Sequence, residues 1–209
     1  MFITNWQSQH NYPPVTELRA NSKWPVHDEN VVSIFPLVEV IRALGTNLVG
    51  CELGTHVGTS AIYLLEHVEN IHTHICIDPY ISYNDAPGMA MPQDFYDYVK
   101  SVWDKNRELY PERILFIHDT SDAASNMIED SSLDYVFVDG NHSYEFTLRD
   151  LENYWPKVKP GGLISGHDYN TVGWFGVNEA VKEFMQKNNL HDVLQLSKSR
   201  NCYWIYKNV

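Results

Sequence analysis

The sequence predicts a doubly wound α/β fold, with a mostly parallel seven-stranded sheet, helices on both faces and a C-terminal antiparallel hairpin. Three observations carry this expectation. From residue 48 onward short apolar runs alternate with longer stretches of helical period. The runs are continuously hydrophobic, which marks strands covered on both faces, as a parallel sheet between helix layers requires. The last two runs are separated only by the short polar stretch KSRN, the mark of a hairpin.

The first 45 residues are the least regular and are taken as part of the same domain as residues 46–209. NYPPVTELRANSKWP reads as an irregular arm that could cover a pocket or pack on a second subunit, as in a homodimer. Leu37, Val40, Ile41 and Leu44 then share one face of a short helix, entered through Pro36 and stopped by Gly45. The strand-like runs that follow are LVGCEL, THICID, RILFIH, DYVFVD and GLISGHD. Between them Val57, Ala61, Leu64, Leu65 and Val68 fall on one helical face, as do Tyr144, Leu148, Leu151 and Trp155, and later Val177, Val181 and Phe184. Right-handed crossovers through these helices wind the sheet in both directions. After the second run, YISYNDAPGMAMPQD is longer than a usual strand-to-helix loop and is either a lid or a passive surface insertion. DVLQLS and CYWIYK close the sheet as the hairpin.

At 209 residues, with 44% hydrophobic and 20% charged residues and no low-complexity tract, the chain reads as one globular domain. Lys and Arg total 15 against 27 Asp and Glu, a formal charge of -12 that repels a phosphate backbone and argues against a nucleic-acid partner. No stretch approaches the roughly 18 apolar residues of a membrane span and the start has no basic leader, so a cytoplasmic protein without a membrane partner is expected. Cys51, Cys76 and Cys202 lack metal-type spacing and are read as free, buried thiols.

In a parallel sheet the strand C-termini share one edge, where ligands of open α/β folds bind. Four of the five runs end in aspartate or are followed at once by one, namely Asp78, Asp119, Asp139 and Asp168, and Glu52 lies near the end of the first. Any one of these suits a turn or a helix cap, but their recurrence at one topological place points to a ligand. The first loop, CELGTHVGTS, carries Gly54 and Gly58 after a buried strand and at a helix start. It lacks the G-x-G-x-x-G spacing of a dinucleotide site, and a rim of carboxylates would repel pyrophosphate. The same rim suits a ligand with a sulfonium, an ammonium group and a ribose diol, and Asp78 stands where an acid can accept both ribose hydroxyls. The expected ligand is S-adenosylmethionine.

With these motifs the sequence resembles the class I S-adenosylmethionine-dependent O-methyltransferases over roughly residues 48–190. ELGTHVGTSA is similar to the first motif of the catechol and caffeoyl-CoA type enzymes. VFVDGNHSYE and KPGGLISGHDY look still more like the macrocin and mycinamicin sugar O-methyltransferases. The resemblance implies a Rossmann-like methyltransferase whose acceptor is a hydroxyl of a small molecule such as a sugar, natural product or phenol. It also implies that Glu52, Gly54, Thr55, Gly58 and Ser60 surround the methionine part of the cofactor, that Asp78 holds the ribose, and that Asp119, Thr120 and Ser121 edge the adenine. His56 falls where catechol-type relatives contact the cofactor carboxylate, or is a surface loop histidine.

Asp139 and Asp168, at the ends of adjacent runs, could share a hard cation such as Mg²⁺, and in metal-dependent relatives both positions are ligands. For the third ligand the family offers an Asn after the second Asp, where this chain has Tyr169, or an acid before it, where it has His167. His167 as a ligand would favour Mn²⁺ or Fe²⁺ somewhat more than Mg²⁺. His142 stands where relatives carry a lysine or histidine base. An imidazole near pKa ~6.5 facing an alcohol near ~15 leaves deprotonation about 9 pK units, on the order of 12 kcal/mol, uphill, so a base here needs a metal's help. Alternatively Asp139 and His142 only cap the helix that begins near Ser143. A rival enzyme reading is a non-haem Fe(II) hydroxylase of the cephalosporin-hydroxylase-like type, with His142, His167 and Asp139 or Asp168 as its facial triad. Tyr80, Tyr83, Trp174 and Phe175 could stack on an acceptor ring or simply pack.

Overall fold

The computed structural model describes residues 33–83, 91–171, 175–190 and 193–208, with the side chain of Phe175 excepted. The N-terminal arm, the middle of the 80–94 loop and Trp174 lie outside the described residues. The chain enters through a single 3-10 turn, Phe35–Leu37, with Pro36 in its first positions, and continues as α1, Val38–Arg42. Leu37 and Ile41 are fully buried, Val40 and Leu44 pack against the same cluster, and Gly45 ends the segment at φ 131°.

Strand and helix then alternate as β1 (Leu48–Leu53), α2 (Thr59–His67), β2 (Ile71–Ile77), α3 (Gln93–Asn106), β3 (Ile114–Ile117), α4 (Ser121–Ser125), β4 (Leu133–Val138), α5 (Tyr144–Tyr154), β5 (Val158–Gly166), α6 (Phe175–Lys187), β6 (Gln195–Leu196) and β7 (Tyr203–Tyr206). The seven strands lie in the order β3-β2-β1-β4-β5-β7-β6. Strands β1 to β5 pair in parallel, whereas β7 runs antiparallel between β5 and β6 as the expected hairpin. Strand order reverses between β1 and β4, which therefore meet at the switch point of the sheet.

Helices cover both faces. Leu148, Leu151, Val181 and Phe184 from α5 and α6 pack with Val136 and Ile164 on one side. Leu37, Ile41, Tyr63 and Leu64 pack with Tyr135, Phe137 and Leu163 on the other. Strands β1, β2 and β4 are buried along most of their length, but β3 is only partly so, with Leu115 51% exposed. Its continuous hydrophobicity predicted cover on both faces; as the outermost parallel strand it has a neighbour on one side only. All three cysteines are free and buried. Among the described residues no helix is long and apolar enough to cross a membrane.

Candidate functional site

Backbone bonds carry the ladder one residue past each strand: Asp78 donates its N–H to Ile117, Asp139 to Leu53 and His167 to Val138. The acidic residues are therefore set by the sheet itself, and they open on a cavity of about 510 Å³ at the switch point. Glu52, Gly54, Thr55, His56, Ser60, Asp78, Thr120, Ser121, Asp139, His142 and His167 all line it. Gly58, Asp119 and Asp168 do not. Gly58 is the N-cap residue of α2, Asp119 turns its Oδ1 to the N–H of Thr120 at 2.7 Å, and Asp168 stands behind the two histidines.

The loop after β1 turns tightly. Gly54, His56 and Gly58 all have positive φ, at 87°, 51° and 80°, and the Gly58 N–H closes on the Thr55 carbonyl at 2.8 Å. The glycines answer to packing as much as to any ligand. A Cβ on Gly54 would lie 2.2 Å from the Asp139 carbonyl oxygen, and one on Gly58 2.3 Å from the Trp103 ring. Gly54 thus lets the first loop lie directly against the loop after β4.

Asp78 accepts the backbone N–H groups of His56 and Tyr80, one on each oxygen at 2.8 Å. Burial raises its pKa, against the pull of those two bonds. Burial holds the His56 imidazole down at about 4 in spite of Asp139, so that side chain is neutral near pH 7. Thr120 caps α4 by accepting the N–H of Ala123, and Ser121 follows it into the cavity wall. Glu52 is almost wholly buried, and its pKa is raised by burial and then by the charges of Asp139 and Asp78.

Asp139, His142 and Asp168 present ligand atoms all within 4.8 Å of one another. His142 Nε2 lies 2.9 Å from Asp168 Oδ2 and 3.7 Å from Asp139 Oδ1; His167 Nδ1 lies 3.2 Å from Asp168 Oδ2 and 4.0 Å from Asp139 Oδ1. Burial works to raise the pKa of Asp168, but the bonds and charges of both imidazoles hold it far below the usual carboxylate range. Burial alone would lower His167, yet its bond to Asp168 and the charge of Asp139 leave it raised. Asp168 adopts φ 57°, a left-handed conformation that Asp tolerates better than most residues and that turns the chain immediately after β5.

The helix-cap alternative is answered locally. Ser143 is the N-cap residue of α5 without a side-chain cap bond, and Asn141 Oδ1 takes the Ser143 N–H at 2.9 Å in an Asx turn. Turn making thus falls to Asn141 and Ser143, while Asp139 and His142 face the cavity. Two further residues join the site without having been singled out in the sequence. Ser33 donates to Asp139 Oδ2 at 2.8 Å and pairs with Ser60 at 2.9 Å, and Asp150 on α5 is buried against the cavity wall.

Residues 51–169, more than half of the chain, match the family described as methyltransferase domain. The chain belongs to this methyltransferase domain family. The matched span runs from the first cavity-lining strand to one residue past Asp168, so it contains every cofactor, metal and base residue expected from the sequence but not Trp174 and Phe175. A stretch of 124 residues is 27% identical to the uncharacterised protein R132 of Acanthamoeba polyphaga mimivirus, 59% of this chain and 52% of that protein. A second stretch of 41 residues is 46% identical to the uncharacterised protein y4gI of Sinorhizobium fredii, 20% of this chain and 4% of that protein. The chain thus spans about half, or much less, of the length of these curated relatives.

Solved methyltransferases share the fold. The O-methyltransferase NovP superposes with a TM-score of 0.62 at 19% identity, covering 84% of this chain and 81% of its own. The calicheamicin methyltransferase CalS11 gives 0.63 at 16% identity, covering 97% and 89%. The Bacillus cereus O-methyltransferase, solved with S-adenosylhomocysteine (SAH), gives 0.55 at 14% identity, covering 98% and 97%. The C-terminal hairpin and α6 of this methyltransferase domain lie beyond the matched span and complete the sheet around it.

Proposed function

We propose that the chain is an S-adenosylmethionine-dependent O-methyltransferase that acts on a hydroxyl of a small molecule with the help of a divalent cation. One observation carries this reading: the first loop, Asp78, Asp139, His142 and His167 converge on a single cavity at the switch point of the sheet, with Asp168 against both histidines. One end has the glycine loop and a buried acid for the cofactor, and the other has ionisable groups for the acceptor. The named activities of NovP and CalS11 support the reaction class, and CalS11, described as a TDP-rhamnose 3'-O-methyltransferase, favours a sugar-like acceptor. The SAH held by the Bacillus cereus enzyme supports the cofactor. The iron-hydroxylase alternative gains no support from these relatives.

The cluster fits a cation by its donor set. Each of the two imidazoles lies 2.9 to 4.0 Å from both carboxylates, and His167 Nε2 is buried without a hydrogen-bond partner. Asp139, Asp168 and His167 would hold the ion, leaving His142 free to act as base, and the ion's contribution would be to make an acceptor hydroxyl acidic near neutral pH. The cofactor supplies a methyl group on sulfur. His142 would take the proton from the acceptor oxygen as that oxygen attacks the methyl carbon in line and the carbon–sulfur bond breaks to leave the neutral thioether, and Asp168 would steady the resulting imidazolium. The three free thiols favour a reducing, cytoplasmic setting, and the charge of -12 favours a small-molecule acceptor over nucleic acid.

The test is a thermal-shift series with S-adenosylmethionine, SAH and divalent ions, followed by methyl transfer to hydroxylated sugars and phenols. A ligand that binds the native state raises the melting temperature. No shift with either nucleoside would overturn the cofactor assignment. Transfer undiminished by a chelator would remove the cation from the mechanism.

A further inference from the structure

Below the cofactor end of the cavity, Tyr135 on β4, Gly50 on β1 and His74 on β2 stand in one row of sheet register. A Cβ on Gly50 would lie 1.8 Å from the Tyr135 ring, so the ring crosses the strand where the glycine leaves room. Its hydroxyl reaches His74 Nδ1 at 2.8 Å, and the two rings stack with centroids 5.8 Å apart. Two residues along β1, on the same face, is Glu52, whose Oε2 lies 3.8 Å from His74 Nε2. His74 and Tyr135 are 0% exposed and Glu52 1%, yet Glu52 Oε2 and His74 Nε2 both lack a hydrogen-bond partner. Leaving buried polar atoms unpaired costs about 1–3 kcal/mol each, so the arrangement calls for a function.

Burial, reinforced by the charge of Arg113, pushes the His74 pKa down to about 3, leaving the ring neutral with one N–H. In the tautomer in which the Tyr135 hydroxyl donates to Nδ1, that N–H sits on Nε2, on the side of Glu52 and 3.8 Å from its Oε2. Other acids of the rim are already engaged, since Asp78 holds two backbone N–H groups and Asp139 holds Ser33. Glu52 lines the cavity and is repelled by both of these carboxylates, so a cationic ligand group relieves it.

We propose that His74, held by Tyr135, is a positioning residue: when S-adenosylmethionine is bound, its Nε2 closes the 3.8 Å gap to one oxygen of the Glu52 carboxylate and so turns the other toward the ammonium group of the cofactor. This rests on the cofactor assignment above. Cys76 offers a third ligand atom within 4.8 Å of Glu52 and His74, so a buried transition-metal ion is the competing occupant.

The experiment is calorimetric titration of the full chain with SAH and with the analogue that lacks its α-amino group. His74→Leu should weaken SAH about 10-fold or more, as expected for a hydrogen bond to a charged group, while leaving the desamino analogue within about 2-fold. His74→Gln, whose amide can donate to Glu52, should recover most of the loss. Tyr135→Phe should show the same selectivity at a smaller scale and serves if His74→Leu fails to fold. Equal losses for both ligands, or none, would overturn the positioning role. So would a stoichiometric metal ion in the purified protein that disappears in His74→Leu. Wild type that binds the desamino analogue as tightly as SAH would overturn the ammonium contact alone, whereas folded wild type that binds neither would overturn the cofactor assignment and this proposal with it.

Discussion

His142 Nε2 lies 2.9 Å from Asp168 Oδ2, so the histidine lies against the carboxylate pair and does not project away from it. The sequence reading gave Asp168 to a metal and His142 to the acceptor, as separate tasks. Their contact makes the two residues one electrostatic unit, in which the state of one governs the other.

Asp168→Asn therefore tests charge apart from backbone. Asn tolerates the left-handed φ of 57° nearly as well as Asp, so the variant should melt within a few degrees of wild type. Methyl transfer should fall on the order of 100-fold or more, as for loss of a base or of its partner, while SAH affinity stays within about 3-fold. Full activity in Asp168→Asn would separate the aspartate from the chemistry.

Gly54→Ala and Gly161→Ala form a contrasting pair. Both positions have positive φ, 87° and 84°, but a Cβ at Gly54 meets the Asp139 carbonyl at 2.2 Å whereas one at Gly161 meets nothing within 4 Å. Urea denaturation should show a loss of about 1–2 kcal/mol for Gly161→Ala, from backbone strain alone. Gly54→Ala should lose about 1–3 kcal/mol more and bind SAH poorly. Similar losses in the two variants would mean that the loops can part at little cost.

Asp150 gives a pH dependence whose sign is set by burial. Its carboxyl is pushed up to about 7, above the unfolded value, so the folded state binds the extra proton between about pH 4 and 7 and stability falls as pH rises through that window. The effect is on the order of 4 kcal/mol. Asp150→Asn keeps a polar group for Ser121 without the charge, so it should flatten this decline and be more stable than wild type at pH 8. Chemical denaturation at several pH values measures it, and an unchanged slope would clear Asp150 of the titration.

Ser33→Ala removes the hydroxyl that bonds both Asp139 and Ser60. Stability should fall by about 1 kcal/mol, and methyl transfer should drop several-fold as Asp139 loses one restraint. Retained rate and melting temperature would show that the bond does not orient the carboxylate.

The fold and the rim were legible because both are local. Runs such as LVGCEL and DYVFVD state their own burial, and Asp78, Asp139 and Asp168 lie next to the strand ends that place them. Ser33 was not legible, since its partner is 106 residues away and nothing around it marks the contact. Asp150 sits at a helical position where exposed acids are ordinary, and only the packing of α5 against β4 shows that it is buried. Tyr135 and His74 read as plain strand residues until register sets them on either side of Gly50. The partial exposure of β3 was missed for the opposite reason: its composition resembles the central strands, and only sheet order makes it an edge.

The near contact between Gly54 and the Asp139 carbonyl has a consequence for how such a protein can change over time. The loops after β1 and β4 are joined where neither has room to shift, so the spacing between them is inherited as a constant. Variation in substrate would then fall to segments outside that joint. One chemistry can be kept across many acceptors by rewriting the entrance and leaving the hinge point of the reaction alone.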